Sequence, residues 1–135
     1  EKADELLQTS FDYVVDAIDT LSPKVFLIQK TMEKGYPLIS SMGSGGKFDP
    51  ALIKVSDIDD SYNCRLAYSL RKQLHRLGIR TGFKIVYSSE KVDKNAVQKV
   101  ENEPNKKSTV GTISYMPAAF GLFAASVVIR DIIGH

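Results

Sequence analysis

The chain has 135 residues, 43% hydrophobic and 25% charged, the balance of a soluble globular unit with one core rather than of a disordered or fibrous chain. Its 18 Lys and Arg against 16 Asp and Glu leave a formal charge of +2, far short of the excess carried by a dedicated nucleic-acid binder, so any RNA contact must use a local patch. A single cysteine, Cys64, excludes an internal disulfide framework and a CxxC zinc site, which fits a cytoplasmic setting.

The chain opens on the charged stretch Glu1, Lys2, Asp4 and Glu5, without the apolar core of a signal peptide. Residues Tyr13 to Ile18 form a β-branched run that predicts a buried strand, and a helix is expected from Leu21 to Lys34, with Ser22 and Pro23 at its start and Gly35 at its end. Pro37 to Met42 is the next strand. The order strand, helix, strand predicts a parallel crossover. After the turn Gly43-Ser44-Gly45-Gly46 and the Phe48-Asp49-Pro50 segment, a third strand is expected over Leu52 to Asp57. So short a connection should make it antiparallel to its predecessor.

Leu66, Leu70, Leu74 and Leu77 share one side of a helix expected from about Ser61 to Leu77, with Gly78 as its stop signal. Phe83 to Tyr87 reads as a fourth strand. Residues 88–108 are polar and lysine-rich, and predict a long mobile loop over 89–108. The last helix should start near Pro117 and end at Ile133, before Gly134. Within it Met116 to Ile129 is apolar except for Gly121 and Ser126, 14 residues where a spanning helix needs about 20. A buried core helix is therefore expected, and membrane association is not. No linker or repeat divides residues 1–135, so one domain is expected. Its fold class is α/β, with a mixed parallel and antiparallel sheet flanked by helices.

Asp16 and Asp19 stand at and just beyond the end of a parallel strand, where open α/β sheets gather their ligands. A carboxylate there either holds magnesium on nucleotide oxygens or, with Thr20, caps the following helix. Residues Ser44, Gly45 and Gly46 either form a nest for an anion or a carbonyl cage for an alkali cation, or only a tight connection, with Lys47 beside them. Arg65, Lys72 and Arg76 fall nearly on one line of their helix, away from the leucines. With Lys106 and Lys107 in the loop they form either an RNA-binding surface or an ordinary solvated face. Cys64 and His75 lie about three turns apart and cannot make a dyad within that helix.

Three stretches taken together, Phe11 to Thr20, Pro37 to Pro50 and Ile53 to Ile58, resemble in order and spacing the HesA/MoeB/ThiF family of ATP-dependent activating proteins. Within it they are most similar to the tRNA threonylcarbamoyladenosine dehydratase branch, which shares the Gly-Gly turn, an Asp-Pro and the Phe83 to Glu90 segment. The paired CxxC motifs of zinc-binding members are missing, which favours this branch, so no zinc is expected. No cysteine follows residue 64, which removes the thiol that ubiquitin-type relatives use for thioesters and weighs against sulfur transfer.

The resemblance implies a partial Rossmann-like fold, the carboxy-terminal half of a ThiF/MoeB-type protein, with the glycine-rich ATP loop upstream of residue 1. It implies an enzyme that uses ATP and magnesium to activate the carboxylate of threonylcarbamoyladenosine in tRNA, which then closes to its cyclic hydantoin form. Asp19 matches the family aspartate that holds the magnesium and ATP, and is the implied catalytic residue. Asp16 and Thr20 stand beside it at the implied cofactor site. The implied partners are tRNA, a second copy of the chain and a sulfur-relay protein. A relative that recognises a partner or activates a carrier protein, without acting on tRNA, is the alternative, and an intact upstream ATP loop would discriminate between the two.

Overall fold

In the computed structural model, which describes residues 2–92, 97–98 and 109–135, a four-stranded sheet carries helices on both faces. A short helix, α1 (Lys2–Leu6), leads into β1 (Val14–Asp16), α2 (Leu21–Lys34) and β2 (Leu38–Ser41). The two strands pair in parallel, Val14 opposite Leu38 and Asp16 opposite Ser40, as the intervening helix requires. Gly35 ends α2 as expected. It takes a left-handed φ of 73°, and its N–H donates to the Met32 carbonyl at 3.0 Å.

The third strand, β3 (Ile53–Asp57), runs antiparallel to β2 but does not lie beside it. The order is β1-β2-β4-β3, with β4 (Lys84–Ser88) parallel to β2 and antiparallel to β3. Burial explains the insertion. The position next to β2 is covered on both faces, and β4 buries every residue from Ile85 to Ser88, whereas β3 buries only Ile53 and suits the edge. The intervening helix, α3 (Arg65–Arg76), begins later than expected because Ile58–Asp60 forms a 3₁₀ turn capped by the Asp57 carboxylate. It buries Ala67, Leu70 and Leu74 and leaves Leu77 exposed, so the leucine face is shorter than its sequence spacing suggests.

Most of the expected loop over 89–108 lies outside the described residues. Nearby, β5 (Val97–Gln98) pairs antiparallel with β6 (Thr109–Val110). The final helix, α4 (Tyr115–Ile133), ends at Gly134 as expected.

Successive residues of the strands point to opposite faces and so divide the core in two. On one face Ile85 and Tyr87 pack with Ile28 of α2 and with Leu70 and Leu74 of α3. On the other, Ile39, Ile53 and Val86 pack under Met116, Phe120, Ala124 and Val127 of α4. These four helix residues recur at spacings of four, four and three, a single stripe. The expectation of a buried core helix needs correction, because α4 covers the sheet with that stripe alone. Leu122, Phe123, Ile129, Ile132 and Ile133 are exposed on its other sides. At 19 residues α4 is also long and apolar enough, by length and composition alone, to cross a membrane.

Candidate functional site

The three parallel strands β1, β2 and β4 end at the same edge of the sheet, where the segments that follow them can surround a ligand. Asp16, the last residue of β1, is 1% exposed and is held from three sides. Ser40 Oγ of β2 donates to its Oδ2 at 2.5 Å, the Ile18 N–H donates to Oδ1 at 3.0 Å, and Lys24 Nζ of α2 lies 2.7 Å from Oδ2. Lys24 is itself fully buried, and its ammonium also donates to the carbonyls of Ile18 and Ser41 at 2.8 Å each. Burial pushes the Lys24 pKa below its ordinary value, and the Asp16 charge pulls against that shift. One lysine thus joins the segment after β1 to the end of β2. Asp16 serves this internal network, beneath the surface on which Asp19 lies.

A cleft of about 670 Å³ opens beside this network. Asp19 lines it together with Ser44 and Gly45 of the glycine turn, and Pro117, Phe120 and Gly121 supply an apolar side from α4. The structure therefore brings Asp19, Ser44 and Gly45 into one cleft. Thr20 is the N-cap residue of α2 by backbone position, yet neither its side chain nor that of Asp19 makes a capping hydrogen bond there. Gly46 is buried at φ 72°, and its N–H donates to the Gly111 carbonyl at 2.7 Å rather than into the cleft.

Magnesium bound to phosphates asks a protein for only one or two carboxylates. Asp19 is exposed at the cleft, and among the described residues its carboxylate receives no hydrogen bond and forms no ion pair. No group of three or more His, Cys, Asp and Glu side chains gathers among the described residues. One exposed carboxylate beside a roomy cleft fits a cation that takes most of its ligands from a nucleotide and water. It does not fit one that needs an all-protein cage.

Lys47 is 3% exposed and points inward. Its ammonium donates to the carbonyls of Asn63 at 2.8 Å, Ser88 at 3.2 Å and Glu90. Glu90 returns the connection, its carboxylate accepting from the N–H groups of Phe48 and Asp49 at 2.8 and 2.9 Å. The segment after the glycine turn is thereby fastened to the end of β4. Arg65, Lys72 and Arg76 are exposed on α3, as their spacing predicts, and Lys106 and Lys107 lie outside the described residues. His75 lies 3.9 Å from Asp59. Sequence reading missed Lys24 and Ser40. The available signal was a lone lysine inside the apolar first turns of α2, facing a strand that ends in Asp16.

No family profile matches the chain. It is 28% identical over 140 residues to the tRNA threonylcarbamoyladenosine dehydratase of Bacillus subtilis, a match covering 98% of this chain and 55% of that protein. It is 28% identical over 139 residues to the Escherichia coli dehydratase of the same name, covering 90% of this chain and 52% of that one. The structure of the E. coli tRNA N6-threonylcarbamoyladenosine dehydratase in complex with AMP superposes on 98% of this chain and 53% of its own, with a TM-score of 0.83 and 26% identity. A structure of that protein with ATP matches equally well. The resemblance read from the motifs and the α/β fold it implied are both upheld, and the chain spans about half the length of these relatives.

Proposed function

We propose that this chain is the carboxy-terminal half of an ATP-dependent tRNA threonylcarbamoyladenosine dehydratase, and that it contributes the Asp19 side of the nucleotide site. One observation carries the reading: Asp19, Ser44 and Gly45 line a single cleft at the carboxyl edge of the parallel strands, in a fold that overlays a dehydratase bound to AMP.

In this reading the Asp19 carboxylate would hold a magnesium ion, which would supply charge neutralisation during activation of the substrate carboxylate. The backbone of Gly43 to Gly45 lines the same cleft as Asp19 and gives the nucleotide a wall that can be approached closely. Phe120 and Gly121 keep one side of the cleft apolar, which limits water around the activated group. Lys24 and Asp16 fix the spacing of the two polar walls, since a single ammonium binds the carbonyls of Ile18 and Ser41.

The phosphate-cradling loop belongs to the other half of the protein, so this chain alone is inactive. The parent protein acts in the cytoplasm on tRNA, as a homodimer. The full-length protein, incubated with ATP, magnesium and tRNA bearing the open nucleoside, should convert it to the cyclic form. ATP-independent conversion, or none, would refute the assignment.

A further inference from the structure

A second cleft, of about 630 Å³, opens at the same edge of the sheet. Asn63 and the start of α3 line it on one side, and Lys91, three residues past the end of β4, lines it on another. Arg65, Arg71 and Lys91 place three cations around it, and its described lining contains no carboxylate. In a chain of net charge only +2, such a grouping is a local departure from the average. Arg71 is anchored, its Nη1 donating to the Ser61 carbonyl at 3.1 Å and to the Ser61 hydroxyl. A guanidinium held this way loses little further freedom when it meets an anion.

The cleft also has an aromatic platform. Tyr68 is 55% exposed and lines the cleft, with the Arg71 guanidinium 6.0 Å and the Lys72 ammonium 5.5 Å from its ring centroid. Cations with an exposed ring suit a phosphodiester flanked by a base, because the charges take the phosphate and the ring stacks a base of any identity. Lys47 ties this cleft to the first one. It follows directly from the glycine turn that lines the Asp19 cleft, and its ammonium binds the carbonyl of Asn63, which lines the second.

We infer that the cleft formed by Arg65, Arg71, Lys91 and Tyr68 is an RNA-backbone dock, seating a phosphodiester with its neighbouring base on Tyr68. It replaces the straight row of Arg65, Lys72 and Arg76 as the RNA-binding element, since Arg76 does not line the cleft and Lys72 meets it only through the Tyr68 ring. The inference rests on the dehydratase reading, which makes RNA the ligand on this edge.

The test uses the full-length protein and a fluorescent anticodon stem-loop RNA, with affinity measured by anisotropy across a salt series. Arg65 and Lys91 are exposed, so Arg65→Ala/Lys91→Ala should leave the melting temperature unchanged. It should weaken binding at low salt by at least about tenfold and lower the salt slope by about 1 to 2, as expected when two phosphate contacts are lost. Arg76→Ala/Arg80→Ala should change affinity less than about twofold, because those exposed charges neither line the cleft nor touch Tyr68. Unchanged affinity and slope in the first double variant would overturn the inference, as would equal losses in both, which would mark diffuse surface charge. Wild-type protein that yields no cyclic nucleoside would instead refute the dehydratase reading, leaving the dock to be judged on RNA affinity alone.

Discussion

Lys24 shows how one residue can shape the candidate site without facing the ligand. It is fully buried, ion-paired to Asp16 and bonded to two carbonyls from different segments, so its loss strands a carboxylate in the interior. Breaking a buried pair from one side typically costs about 3 to 5 kcal/mol, and Lys24→Met should destabilise the chain by an amount in that range. Lys24→Met combined with Asp16→Asn should cost less than the two single changes added together, because the second removes the unpaired charge. Chemical denaturation of the four proteins checks both statements, and a loss under about 1 kcal/mol for Lys24→Met would mean that the pair contributes little. At this scale the sequence was partly legible. Asp16 and Asp19 announced themselves by standing at a strand end, but nothing in their spacing said that one would be buried on a lysine and the other exposed. Lys47 likewise looked available beside a glycine turn, and only the chain's return to Asn63 and Glu90 shows its charge to be satisfied within the fold.

Among the elements, the ends of helices were read best, since Gly35 and Gly134 stop α2 and α4 through backbone conformations that other residues adopt at a cost. Strand neighbours were read less well. The short connection from β2 to β3 gave the right direction but not the insertion of β4, because pairing depends on which strand can be buried on both faces, a non-local property. The same limit applies to α4, whose apolar composition conceals that one stripe meets the sheet. Its outer residues carry a prediction. If a second copy covers this face, replacing Leu122 and Ile129 with Glu should convert the full-length dimer to monomer in light scattering, with little change in the fold because both side chains are already exposed. A dimer that survives both charges would place the subunit contact elsewhere.

For the whole molecule, the two clefts share one edge of the sheet, built from segments that Lys24 and Lys47 hold in register. This frame can present a carboxylate to a nucleotide, but it spans about half the length of the relatives that bear the dehydratase name. Calorimetry on the 135-residue chain should therefore detect no micromolar ATP binding, since one carboxylate and a glycine turn lack the donors that hold phosphates. Tight binding by the chain alone would mean that its own residues suffice. If Asp19 serves carboxylate activation on tRNA, the nucleosides of a strain whose full-length gene carries Asp19→Asn will report it. Asn keeps the shape and would serve as a helix cap about as well as Asp, but it lacks the charge that a hard divalent cation needs. The expected outcome is a variant of normal thermal stability and tRNA in which the open nucleoside accumulates and the cyclic one falls at least about tenfold, the loss typical of a damaged metal site. Normal levels of the cyclic nucleoside in that strain would contradict it.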